Sequence, residues 1–204
     1  MPTLIEPLAQ SIHELWFGEL DAEGRAPADK VQKWFSKDPA FDQLIRKRFQ
    51  DYIDAAFMGA FDRWTKNDDG LVALIILLDQ FPRNMFRDTP RAFAYDKKGL
   101  SSANIALHED RYLQMPALHA YFSLMPTMHS ELLEVQEVGL EAFSRLLDKV
   151  PAVHKELIAT AHRYAKAHRD IIARFGRFPH RNLILGREST PEELAFLREP
   201  GSSF

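Results

Sequence analysis

Asp38-Pro39-Ala40-Phe41-Asp42-Gln43-Leu44-Ile45-Arg46-Lys47-Arg48-Phe49-Gln50-Asp51-Tyr52-Ile53-Asp54-Ala55-Ala56-Phe57 is the stretch that decides how this chain folds. Phe41, Leu44, Ile45, Phe49, Tyr52, Ile53, Ala56 and Phe57 recur three and four residues apart, the spacing that gathers side chains on one face of an α-helix. Asp38 before Pro39 is an N-cap followed by the residue best tolerated at the first helical position. The pattern predicts a helix from Ala40 to Trp64.

Outward from this stretch the helical period persists. Asn67-Asp68-Asp69-Gly70 forms a turn with several candidate caps. Leu71–Leu78 is apolar all round, which predicts a central helix to about Phe81, ended or kinked at Pro82. Short helices are expected around Pro90–Tyr95 and Lys97–His108, with another after Pro116. Ser130 is expected to cap a helix running to about Lys149. Pro151 starts the longest remaining helix, ending near Phe175 with Gly176 just beyond. Thr190-Pro191-Glu192-Glu193 is a capping box with proline at the first position. No segment longer than a few residues alternates with period two. The expectation is one all-α domain over residues 1–204, a helical array of about eight or nine helices. Trp16-Phe17 and Trp34-Phe35 echo one another, but their flanks do not match, so no repeat array is readable.

Composition narrows the function classes. A chain of 204 residues with 46% hydrophobic and 27% charged residues can bury a substantial core and is not disordered. The absence of cysteine excludes a disulfide scaffold, a thiolate zinc site, an iron–sulfur cluster and a cysteine nucleophile. The apolar run Leu71–Leu78 is eight residues long, against roughly 20 needed to span a bilayer. No secretory signal is visible at the start, and the expected location is cytoplasmic, with no membrane association. Between Arg145 and Arg187 ten basic residues face three acidic ones, a net +7 that leaves −10 for the remainder of a −3 chain. Such asymmetry marks either an anion-binding surface or acidic and basic helices that pack together.

Polar residues stand out in four places. Asp79 follows the apolar run near a helix end, where a carboxylate needs a cation, and Arg83, Arg87 and Arg91 follow at intervals of four. His168 falls on the apolar stripe Leu157, Ile158, Ala161, Tyr164, Ala165, Ile171, Ile172 and Phe175, and Gln136 likewise falls where its neighbours are apolar. Arg174-Phe175-Gly176-Arg177-Phe178-Pro179-His180-Arg181-Asn182 interleaves three arginines with phenylalanines, and guanidinium forks suit carboxylate or phosphate. His129-Ser130-Glu131 adds an imidazole and a carboxylate. No His-Glu-x-x-His spacing, glycine-rich phosphate loop, nucleophile elbow or dinucleotide fingerprint occurs, so neither metal nor cofactor is expected.

These residues sit in motifs that resemble an uncharacterised, mainly bacterial family, domain of unknown function 924. The resemblance runs from about Leu15 to Phe204. It is carried by Trp16-Phe17-Gly18, by Leu77 to Arg87 (Leu-Leu-Asp-Gln-Phe-Pro-Arg-Asn-Met-Phe-Arg), and by Ala92-Phe93-Ala94-Tyr95-Asp96. His129-Ser130-Glu131 with Gln136, the run from His168 to Asn182, Leu185 to Thr190 and Pro200 to Phe204 complete it. Tyr112 to Pro126 departs from the family pattern. The resemblance implies a tetratricopeptide-like α/α superhelix and brings no established activity, cofactor or catalytic residue.

The leading functional expectation is a pocket for a small anionic ligand. Asp79, Arg83, Gln136, Arg174, Arg177, Arg181 and Asn182 would line it, and His129, Glu131, His168 and His180 would be its acid/base groups. A helical module gripping a protein or peptide partner is the alternative, and a purely structural Arg/His cluster is another. Nucleic acid ranks last, since neither a helix-turn-helix signature nor an aromatic stacking platform is present.

Overall fold

A computed structural model describes residues 6–202, so Ser203 and Phe204 of the terminal motif lie outside the described residues. Every regular element among them is helical. The α-helical segments are α1 (Pro7–Trp16), α2 (Ala28–Phe35), α3 (Pro39–Phe57), α4 (Asp68–Ile75), α5 (Phe81–Met85), α6 (Asp96–Leu107), α7 (Ala117–Met128), α8 (Leu133–Lys149), α9 (Lys155–Phe175), α10 (Asn182–Leu185) and α11 (Pro191–Phe196). That is more than the eight or nine expected, because α1, α2 and the short turns of helix at Phe81 and Asn182 stand as further elements.

The core is built around the apolar run. Leu71 to Leu78 are each 0% exposed, wrapped by α1, α6 and α7. Each buried leucine, isoleucine or valine in it contributes about 1.5–3 kcal/mol relative to exposure, so this run anchors the domain. Trp16 meets Phe41, Phe81 and Phe122 at ring separations of 6.2, 5.8 and 5.5 Å, joining α1, α3, α5 and α7. Trp34 caps that cluster and donates from its indole to Trp16 O at 2.9 Å.

Local signals placed several boundaries correctly. Asp38 accepts from the amides of Ala40 and Phe41, Asn67 accepts from Gly70 N at 2.8 Å, and Thr190 and Glu193 close the expected capping box. Gly176, with φ of +68°, ends α9 in the left-handed region that glycine enters without steric cost.

Three boundaries differ. α3 stops at Phe57 rather than Trp64, because Gly59 turns the chain at φ +93° and a 3-10 turn, Asp62–Lys66, follows. Of its expected face, Leu44, Tyr52 and Phe57 are exposed, and the buried stripe is Phe41, Ile45, Phe49, Ile53 and Ala56. The central helix is not broken at Pro82. It widens over Ile76–Gln80 into a π turn, with the amide of Phe81 bonding Ile76 O, and continues to Met85. Pro82 has no N–H to offer the preceding turn, and the wider turn lets the chain pass its ring. Finally, α8 begins at Leu133, not at Ser130. Ser130 Oγ accepts from Leu132 N at 3.2 Å in the turn before it.

Among the described residues no helix is long and apolar enough to cross a membrane.

Candidate functional site

The π turn sets Asp79 into the interior, fully buried, where a carboxylate must find compensation. Its Oδ1 lies 2.7 Å from His129 Nδ1 and 3.3 Å from Arg83 NH1, and its Oδ2 accepts from Gln80 at 2.6 Å. Burial alone would raise the Asp79 carboxyl, but the charges and hydrogen bonds of His129 and Arg83 hold it well below the usual carboxylate range. Burial, reinforced by the Arg83 charge, holds the His129 imidazole below its ordinary pKa although Asp79 pulls the other way. A carboxylate can only accept, so His129 donates Nδ1–H to Asp79, and when the ring is neutral Nε2 is left as a proton acceptor.

His129 sits in the α7–α8 turn, and Gln136 fixes that turn. Its side-chain amide, 2% exposed, donates to Met128 O and Ser130 O, both at 2.7 Å, on either side of His129. Gly139 lets α8 approach α7 there: a Cβ would stand 2.1 Å from Thr127 Oγ1.

Arg83 is held by Asp96 and by Asp79. It donates to both oxygens of Asp96 at 2.8 and 3.0 Å and to Asp79 O at 2.7 Å. Arg181 is not saturated. It is 6% exposed, its guanidinium lies 4.6 Å from the Phe93 ring and 4.5 Å from the Phe178 ring, and NH1 is 3.5 Å from Asp96. Its Nε is buried without a hydrogen-bond partner. Burial and the neighbouring Arg83 charge bring its pKa down to about 10. His168 Nδ1 donates to Tyr164 O at 2.7 Å, its ring 6.5 Å from that of His129 and 5.6 Å from Phe178. Burial pushes His168 down to about 3, and burial with the Arg181 charge pushes His180 to about 4.

Asp79, Arg83, His129, His168, His180 and Arg181, expected from separate segments, thus meet through direct contacts or mutual charge. Glu131 and Asn182 do different work. Glu131 accepts from Phe178 N at 2.9 Å and from Arg187 at 2.6 and 2.9 Å, and Arg187 in turn reaches Asn182 Oδ1 at 3.0 Å. Burial would raise the Glu131 carboxyl, but the Arg187 hydrogen bonds hold it low. These contacts strap the segment after α9 onto the body. Arg177 is held by Glu193 at 2.6 and 2.8 Å, and Arg174 by Glu192 at 3.0 Å, so neither is brought to the Asp79 cluster by a contact.

Asp96 and Phe93 belong to the cluster, and Arg187 to the strap beside it, without having been singled out from sequence. Asp96 looks like an ordinary first-turn acid, and only its lateral reach to two arginines reveals its role. Part of the charge asymmetry resolves into pairs across the chain: Arg145 with Asp110, Arg181 with Asp96 and Arg187 with Glu131. Among the described residues no group of three or more acidic or imidazole side chains is placed to hold a metal ion. An open depression of about 430 Å³ is lined by Asn104, Ile105, His108, Glu109 and Arg111, none of which belongs to the cluster.

With these features in place, comparison identifies the class of protein. The chain belongs to the bacterial protein family of unknown function DUF924, whose model matches residues 12–201. It is similar to a solved structure, a protein of unknown function, ATU0120, from Agrobacterium tumefaciens, at 35% identity and a TM-score of 0.75 over 94% of this chain and 97% of that one. None of the curated proteins matches it.

Proposed function

We propose that this protein binds a small anionic ligand beside Arg181 and that His129 accepts a proton from it. The observation that carries this reading is a carboxylate-oriented imidazole, His129 on Asp79, linked through Arg83 and Asp96 to a buried guanidinium whose Nε lacks a partner. An imidazole with Nδ1–H fixed on a carboxylate is arranged as a general base. A buried cation short of hydrogen bonds gains by taking an anion. Arg83 and Asp96 are positioning residues in this reading. The tetratricopeptide-like superhelix belongs to the same proposal, supported by α6, α7, α8 and α9 each packing on the next in sequence.

The test is a thermal-shift screen with small carboxylates and phosphates on the native protein and on Arg181→Met. A ligand at about a hundred times its Kd adds roughly 2.7 kcal/mol, which raises the midpoint by several degrees. A rise in the native protein that disappears in a folded Arg181→Met supports the reading. A panel that leaves the native midpoint unmoved contradicts it.

A further inference from the structure

The two ends of the loop that follows α9 are drawn together on one side chain. Glu131, in the turn between α7 and α8, accepts from Phe178 N at 2.9 Å and from Arg187 at 2.6 and 2.9 Å. Arg187 also donates to Phe178 O at 3.1 Å, so the chain from Phe178 to Arg187 is a closed loop with a single anchor. We infer that this loop is a lid over the Asp79–His129 pair, latched by Glu131 and opening as one unit. That its opening admits the anionic ligand rests on the function proposed above.

The loop has an inner and an outer side. On the inner side the Phe178 ring lies 5.6 Å from that of His168, which is 6.5 Å from that of His129, and Arg181 stands 3.5 Å from Asp96, the partner of Arg83. On the outer side is solvent: Asn182 is 1% exposed and the next residue, Leu183, is 92% exposed. The loop is therefore a single layer between the cluster and water. Arg181 is buried beneath it, and a ligand reaches that guanidinium only when the layer moves.

The way the loop is held lets it move without the domain. Phe178 packs with Ile171, Ile172, Phe175 and Phe196 in a small cluster separate from the main core. Segments with little apolar burial open at lower free energy than the core helices. Asn182 ties the loop to Ser189 and Glu193, in the segment that follows it. The Glu131–Arg187 latch is partly wet, with side chains 27% and 25% exposed, so water takes over its hydrogen bonds on opening. Gly176 and Gly186 stand beside the two ends with φ of +68° and +66°, and a Cβ on either would meet nothing within 4 Å. Both positions can absorb a backbone rotation without a clash. The closed state also carries a cost that opening relieves, since the buried Arg181 Nε has no partner.

Native-state hydrogen exchange, followed by NMR in rising urea below the unfolding transition, tests the lid. The reporters are the amides of Phe178, bonded to Glu131, of Arg181, bonded to Phe178 O, and of Arg187, bonded to Asn182 O. They are expected to share one opening constant, at least about a hundredfold above that of Leu74 and Ile75 in α4 and nearly independent of urea. Glu131→Gln, which keeps the shape and loses the charge, is expected to speed all three by about tenfold or more. Reporters with the rate and urea slope of Leu74 and Ile75 open only with the whole domain and overturn the inference. Three unrelated opening constants overturn it too, as does a folded Glu131→Gln that leaves the reporters unchanged. The urea series needs no variant, so it decides the matter even where Glu131→Gln does not fold. Acetate and inorganic phosphate, added at matched ionic strength, separate the lid from the function. A ligand held between Arg181 and His129 slows the reporters saturably. A loop that opens as one unit and ignores both anions leaves the lid standing and contradicts the function proposed above.

Discussion

His129 Nδ1 lies 2.7 Å from Asp79 Oδ1, across a sequence separation of fifty residues, and this contact joins the π turn of the central helix to the α7–α8 turn. The carboxylate has no exposure to solvent, so it depends on His129, Gln80 and Arg83 for compensation. The same contact sets which imidazole nitrogen is left to accept a proton.

Replacing Asp79 by Ala strips Arg83 and His129 of a buried partner. The expected cost is about 3–5 kcal/mol, the range for breaking a buried charged pair from one side. Urea denaturation followed by Trp fluorescence measures it. A loss under about 1 kcal/mol would mean that the carboxylate does not organise this interior.

Gln136→Leu keeps the volume of the side chain and removes its two bonds to Met128 O and Ser130 O. Both carbonyls flank His129, so the variant is expected to lose about 1–3 kcal/mol of stability. It is also expected to broaden the His129 ring signal. Unchanged stability and an unchanged His129 signal would show that the turn is held by other contacts.

Gly139→Ala places a methyl group 2.1 Å from Thr127 Oγ1 and 2.7 Å from Thr127 Cβ. Helices α7 and α8 must separate locally, at an expected cost of about 1–3 kcal/mol. Thermal denaturation gives the value, and a variant as stable as the native protein would contradict the observed helix approach.

Acid should destabilise the fold well above the carboxylate range. Burial first, and neighbouring positive charge or imidazole second, hold His168 at about 3 and His119 and His180 at about 4, against 6.5 when unfolded. The unfolded chain then takes up protons first, so stability present above pH 6.5 is lost as pH falls toward 4 and 3. The Tm is expected to decline from about pH 6.5 downward, with a shallower slope in His168→Gln. A flat Tm between pH 6.5 and 4.5 would contradict neutral, buried imidazoles.

Much of the fold was legible because local chemistry decides it. Asp38, Asn67, Gly176 and Thr190 act on their own neighbours, so sequence alone locates them. The passage of the helix beyond Pro82 was not legible, since proline's missing N–H is compatible with a break or with a π turn. Site membership was partly readable. His168 and Gln136 announce themselves as polar groups on apolar faces, and both are buried. The division of labour among the arginines was hidden. Arg174, Arg177 and Arg181 look equivalent along the chain, and only the packing of α11 gives the first two to Glu192 and Glu193. Asp96 was hidden for the same reason, because its partners lie on other elements.

The most direct test of the account is the protonation state of His129, read from its ring nitrogens by NMR between pH 5 and 8 with and without acetate. The account predicts a neutral ring with Nδ1 protonated at pH 7, and a change at Nε2 when acetate is added. A charged ring, or a neutral one protonated on Nε2 and indifferent to acetate and phosphate alike, would contradict it.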